Sequence, residues 1–237
     1  MCQHRRVRSV SCLVLLVTLA MGCGGPPPLS TRRLEGEPTL GDEDGGEPLL
    51  LGTVSLPALP ASVHPDDEVV HDALGLAREA AVPPRPELSD DASAEEMTSY
   101  INTEFHDWML SRARAIGTAR TALRTMEHGD TDEYVLASAI VGALFAMLAR
   151  EVTTLPLPAA IRADAHERIL VREALLEMAA PLYQRAIDAF GGCASSAVSS
   201  ADPTLDAWAT YCDGAVRDAE EAPRPVDAAP APPQKRR

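Results

Sequence analysis

The chain is 237 residues long and acidic, with 35 Asp and Glu against 21 Lys and Arg and a formal net charge of −14. That length holds one domain of ordinary size plus tails. The acidic balance excludes nucleic acid as a partner and excludes tethering to anionic headgroups by a basic patch, since both rest on clustered Lys and Arg. The lone lysine, Lys235, lies at the far end, which excludes a P-loop and a buried Schiff-base lysine.

Arg5, Arg6 and Arg8 precede an apolar run from Val10 to Ala20. The run has the length of a signal-peptide core and is too short to span a bilayer. Its end, Ala20-Met21-Gly22-Cys23, resembles the lipobox of bacterial lipoproteins. The resemblance implies cleavage before Cys23 and acylation of its thiol and new amine. With Gly24 rather than Asp next, it also implies sorting to the outer membrane, with the domain facing the periplasm. The bilayer then becomes a partner through the acyl chains. Each buried methylene contributes about 0.8 kcal/mol, so two or more chains hold stably where one is marginal.

From Cys23 to Pro65 the expectation is a solvated tether. Pro26-Pro27-Pro28, Gly41-Asp42-Glu43-Asp44-Gly45-Gly46, Pro57 and Pro60 oppose regular structure. Leu49-Leu50-Leu51 offers at most a short contact, and no β alternation stands out. Residues 66–92 should hold a short helix to Ala81 and a connector containing Pro83, Pro84 and Pro86.

The main domain is expected over 93–221, all-α. Ser93 with Glu96 is a capping-box pattern, and an apolar stripe from Met97 to Met126 follows, stopped by Gly129. Asp130 or Thr131 caps a second helix that carries Tyr134, Val141, Phe145 and Val152. A third starts near Pro158, and Pro181 must kink it or start a new helix. Asp202-Pro203 opens a last helix with Leu205, Trp208, Tyr211 and Cys212. The Pro/Ala-rich tail from Ala222 to Arg237 should be disordered.

With Cys2 and Cys12 removed in the signal and Cys23 acylated, Cys193 and Cys212 remain as an even pair. In an oxidising compartment they close a loop of roughly 20 residues, worth about 3 kcal/mol; otherwise they are two buried, inert thiols.

Ala186 to Cys193 and Tyr134 to Phe145 place small residues and an aromatic as tetratricopeptide-like helices do, and the domain resembles a degenerate repeat of that family. The resemblance implies stacked helical hairpins that bind protein. The plain reading of the same stripes is a helical bundle.

Motifs for chemistry are sparse. His166-Glu167-Arg168-Ile169-Leu170 opens like a zincin motif but has Leu170 where the second histidine belongs, so no zinc site is expected. Cys193, Ser195 and Ser196 follow Gly191-Gly192 without a Gly-x-Ser-x-Gly elbow. No cofactor is expected. The run Arg112, Arg114, Arg120 and Arg124 either receives an acidic partner or is a solvated helix face, so Arg112 and Arg120 are candidate partner contacts. Trp208 and Tyr211 are either core or the anchor of an interface.

The sequence therefore favours a lipid-anchored, non-enzymatic scaffold or binding module for another envelope protein, with its site in an apolar or aromatic groove between helices. The alternative is a binder of a small molecule or cell-wall fragment, or a hydrolase, in which Glu104, Asp107 or Glu173 meets His106 or His166 in a closed pocket. A spacer without a ligand would show no groove.

Overall fold

The computed structural model describes residues 47–224. The signal segment, Cys23, the tether up to residue 46 and the tail from 225 lie outside the described residues. A two-stranded antiparallel hairpin comes first, β1 Pro48–Leu51 and β2 Val54–Ala58. Then follow α1 Glu68–Ala81, α2 Ala94–Tyr100, a π-helical turn Ile101–Phe105, α3 His106–Glu127 and α4 Thr131–Thr153. A short α5 Ala159–Ala163, a long α6 Ala165–Ser199, a 3-10 turn Pro203–Leu205 and α7 Asp206–Glu220 complete the chain. The fold is all-α apart from the hairpin.

Caps start the helices where side chains supply them. Asp67 accepts from Val69 and Val70 amides, Asp130 from Glu133, and Ser93 with Glu96 completes the reciprocal capping box. The π turn explains the spacing of the aromatics. Bonds from i to i+5 set Tyr100 and Phe105 on one side, ring centroids 5.9 Å apart, with Trp108 5.4 Å beyond Phe105. Tyr100 donates to the Pro86 carbonyl at 2.6 Å and the Trp108 indole to that of Pro83 at 3.4 Å, so the proline-rich connector is tied down by aromatic donors.

α4 is the centre. It is 23 residues long, and every residue from Val135 to Phe145 is buried. It is long and apolar enough to cross a membrane, yet the hydrophobic window is 83% buried inside the fold. A helix apolar on all sides must be covered on all sides. α3 and α6 pack along it, α1 and α7 touch it, and α7 packs on α6. Such a helix is the core of a bundle rather than one wall of an open stack. The two segments that resemble repeat helices pack on each other. A Cβ at Gly142 would meet the Phe190 ring at 2.7 Å, and one at Gly192 would meet the Tyr134 hydroxyl at 2.9 Å, so glycine lets α4 and α6 approach.

Three expectations need correction. The stretch 48–65 is not tether. Leu49, Leu51 and Leu56 point inward and are buried, Leu50 points out, and Gly52 turns the chain at φ +59°. The hairpin bridges the bundle: β1 meets α1, β2 meets α7, and the Trp208 indole donates to the Ala58 carbonyl at 3.0 Å. After β2, Ser62 donates to buried Asp132 of α4. Second, α6 begins at Asp164 rather than Pro158. Asp164 caps the His166 and Glu167 amides after the short α5. Third, of the two alternatives at Pro181 the new helix does not occur, since α6 runs through it from Ala165 to Ser199. Pro181 and Glu177 are exposed, so the carbonyl that proline leaves free lies on the solvent side of α6. Cys193 and Cys212 are bonded, with Cα atoms 6.1 Å apart, and fasten α7 to α6.

Two glycines should respond oppositely to alanine. Gly52→Ala places a Cβ in left-handed backbone, 2.9 Å from Met147 and 3.2 Å from Ala81, and should cost about 1–2 kcal/mol or more. Gly75→Ala, in α1 with nothing near its Cβ, should stabilise by up to about 1 kcal/mol. Urea denaturation of both variants measures the contrast.

Candidate functional site

Small side chains leave one side of the core incompletely filled. Ala143 and Ala146 on α4 face Gly214 and Ala215 on α7, and α6 supplies the third wall. Between them lies an open cleft of about 950 Å³. Met147 joins the alanines on its floor. Leu176, Tyr183 and Phe190 line α6 at heptad spacings, so they fall on one face. Thr53 and Val54 of the hairpin turn form part of the rim. Arg172 and Phe190 lie 18 positions apart on α6, which gives the cleft a length of roughly 27 Å at 1.5 Å per residue. Phe190 and Tyr211 meet edge to face, centroids 6.0 Å apart, and Tyr211 also meets Trp208 edge to face at 6.4 Å.

One end is polar. Arg150 stands in the last turn of α4, and Arg172 of α6 donates from Nη1 to the Thr153 carbonyl at 2.8 Å. Both cations sit where the helix dipole of α4 favours them. Both are exposed, and among the described residues no carboxylate reaches ion-pairing distance of either. The Thr153 and Tyr183 hydroxyls lie 3.4 Å apart beside them. Burial pushes the Tyr211 phenol up to about 12, Arg150 opposing that shift and Asp218 adding to it. Tyr211 is therefore a neutral hydrogen-bond donor at physiological pH.

The structure separates the residues singled out by sequence. Tyr211 lines the cleft and is half-buried. Trp208 is 1% exposed and belongs to the core, where its indole holds β2. Arg112 is not a partner contact: it is 1% exposed. It donates to the Ala80 carbonyl at the end of α1 and from Nη2 to both Glu151 oxygens at 3.2 Å. It ties α1 and α4 to α3, although its Nε finds no acceptor. The sequence carried the signal, since Arg112 falls in register with Phe105, Trp108, Ile116, Ala119 and Leu123. Arg114, Arg120 and Arg124 are exposed on α3.

Glu104, His106, Asp107, His166 and Glu173 do not line the cleft. His106 approaches only its neighbour Asp107, at 3.7 Å. Among the described residues no three His, Cys, Asp or Glu side chains are grouped to hold a metal. Sequence reasoning missed Arg150, Arg172 and Tyr183, because the cleft joins three helices far apart in the chain. Comparison with family models, with curated proteins and with solved structures finds no match in any of the three.

Two measurements check these assignments. Arg112→Ala leaves the Ala80 carbonyl and the part-exposed Glu151 without their partner and should cost about 1–3 kcal/mol, while Arg120→Ala on the exposed face should stay within about 0.5 kcal/mol; denaturant titration reads both. In an ultraviolet pH titration, one tyrosine should ionise near 12, and Tyr211→Phe should remove that step. The folded state then holds a proton that the unfolded chain releases near 10. Stability should therefore fall with rising pH between those values, and fall less in Tyr211→Phe.

Proposed function

We propose that the chain is an envelope lipoprotein, acylated at Cys23, and that its helical domain is a non-enzymatic module that binds another protein. The cleft carries this reading. It is long, open and lined by Ala, Met, Leu, Phe and Tyr, the side chains that bury apolar area against a partner. Its walls are stiffened by the Cys193–Cys212 bond and by a hairpin strapped across the bundle, so the surface is preorganised and little ordering opposes docking. A disulfide in the fold suits the oxidising compartment that the lipobox implies, facing the periplasm from the outer membrane. The strongly acidic chain needs the acyl anchor, because it offers anionic headgroups no attraction. A binder of small molecules is the second reading, since the cleft volume lies within the range of ligand pockets.

Intact mass of the protein from native membranes tests the anchor. The expected species starts at Cys23, carries three acyl chains and gains two protons on reduction. A chain that retains residues 1–22, or lacks lipid, would contradict it. Gly214→Phe tests the cleft. Gly214 lines the cleft and a Cβ there meets nothing within 4 Å, so a large side chain starts in open space at the cleft wall. The variant should melt no lower than wild type and lose its protein crosslinks in membranes; unchanged crosslinks would place binding elsewhere.

A further inference from the structure

The cleft has a chemical polarity that says more than "apolar surface". Arg150 and Arg172 both line it, and neither has a carboxylate partner among the described residues. This occurs in a chain with a net charge of −14, where an arbitrary patch of surface would be acidic. Asp218 on α7 is the one acid on the lining, so the cations outnumber it. A cationic ligand would meet both guanidiniums. An acidic ligand meets the Arg150 fork and the Arg172 donors that the Thr153 carbonyl leaves unused, groups suited to a carboxylate.

The remaining lining separates a peptide from a hydrocarbon chain. Thr53, Thr210 and Tyr211 place hydroxyls along the walls between the apolar side chains, whereas those of Thr153 and Tyr183 reach each other. Covering hydroxyls with hydrocarbon leaves them unpaired and is costly. A peptide backbone offers amides and carbonyls to pair with them. Burial keeps the Tyr211 phenol protonated, so it remains a donor. The roughly 27 Å length matches an 18-residue helix at 1.5 Å per residue, or a shorter extended strand.

Resting on the reading of the cleft as a protein-binding groove, we propose that its occupant is an acidic, apolar peptide segment of the partner protein. Its apolar side chains lie on the partly exposed Val54, Ala146, Leu176 and Tyr183, and its carboxylate is held by Arg150 and Arg172.

The test selects a displayed library of random 12-residue peptides on the full chain with its disulfide intact. Enriched peptides are then synthesised, and fluorescence anisotropy measures their binding to wild type, to Gly214→Phe and to the double variant Arg150→Gln/Arg172→Gln. Enriched sequences should combine Leu, Phe or Met with Asp or Glu. The double variant should weaken binding at least ten-fold. Replacing the peptide's acid by its amide should weaken wild-type binding equally and leave the double variant unaffected, and Gly214→Phe should abolish binding. Both arginines are exposed, so the double variant should keep its melting temperature; if it does not, the peptide amide substitution alone decides. Binding that is lost in Gly214→Phe but indifferent to the arginines and to the peptide's acid would overturn this inference and leave the groove reading intact. Binding indifferent to Gly214→Phe, or no enriched peptide while dodecanoate binds, would overturn both. No enriched peptide and no dodecanoate binding would overturn the peptide occupant.

Discussion

Everything in this fold answers to one constraint: α4 is apolar on all sides and must be covered on all sides. α3 and α6 cover it lengthwise, Gly142 admits the Phe190 ring, and α1, α7 and the hairpin close what is left. Each cover is then fastened by its own device. Arg112 ties α1 and α4 to α3, the Cys193–Cys212 bond ties α7 to α6, and the Trp208 indole ties β2 to α7. The cover is thinnest where Ala143 and Ala146 face Gly214 and Ala215, because small side chains on both helices leave space unfilled. The cleft is thus a consequence of how α4 is wrapped, and it inherits rigid walls from that wrapping.

The same wrapping fixes the electrostatics of the cleft. α4 ends at Thr153, and its last-turn carbonyls attract Arg150 and Arg172. The helix terminus therefore favours both cations, which have no carboxylate partner among the described residues, and the binding reading uses what the helix end has already placed. Tyr211 sits between the two buried rings of Trp208 and Phe190 and meets both edge to face. Trp208 is spent on structure, Phe190 on the contact between α4 and α6, and Tyr211 faces the opening.

Much of the helical frame was legible in sequence. Ser93 with Glu96 and Asp130 mark the starts of α2 and α4 through their own capping chemistry, while Asp202 caps the 3-10 turn that precedes α7. Cysteine parity pointed to Cys193 and Cys212. The hairpin was hidden because its strands are four and five residues long and contain Pro48 and Pro57. Composition then outweighed the alternation of Leu49, Leu50 and Leu51 about a turn at Gly52. The start of α6 was missed because Pro158 is the more familiar signal, although Asp164 with Glu167 has capping spacing. Arg112 was misread because its charge was weighed above its register in the buried stripe. The cleft could not be read at all: its walls come from residues 53–54, 143–154, 172–190 and 210–223, and no local pattern joins them.

The most direct measurement is photocrosslinking in intact envelopes from a benzophenone side chain placed at Ala146 on the cleft floor, with exposed Arg120 of α3 as the control position. A binding groove should yield a discrete protein adduct from position 146 that is absent from position 120 and disappears when Gly214→Phe is added. Identical adducts from both positions, or lipid as the sole adduct at 146, would contradict the claim that this cleft is where the protein meets its partner.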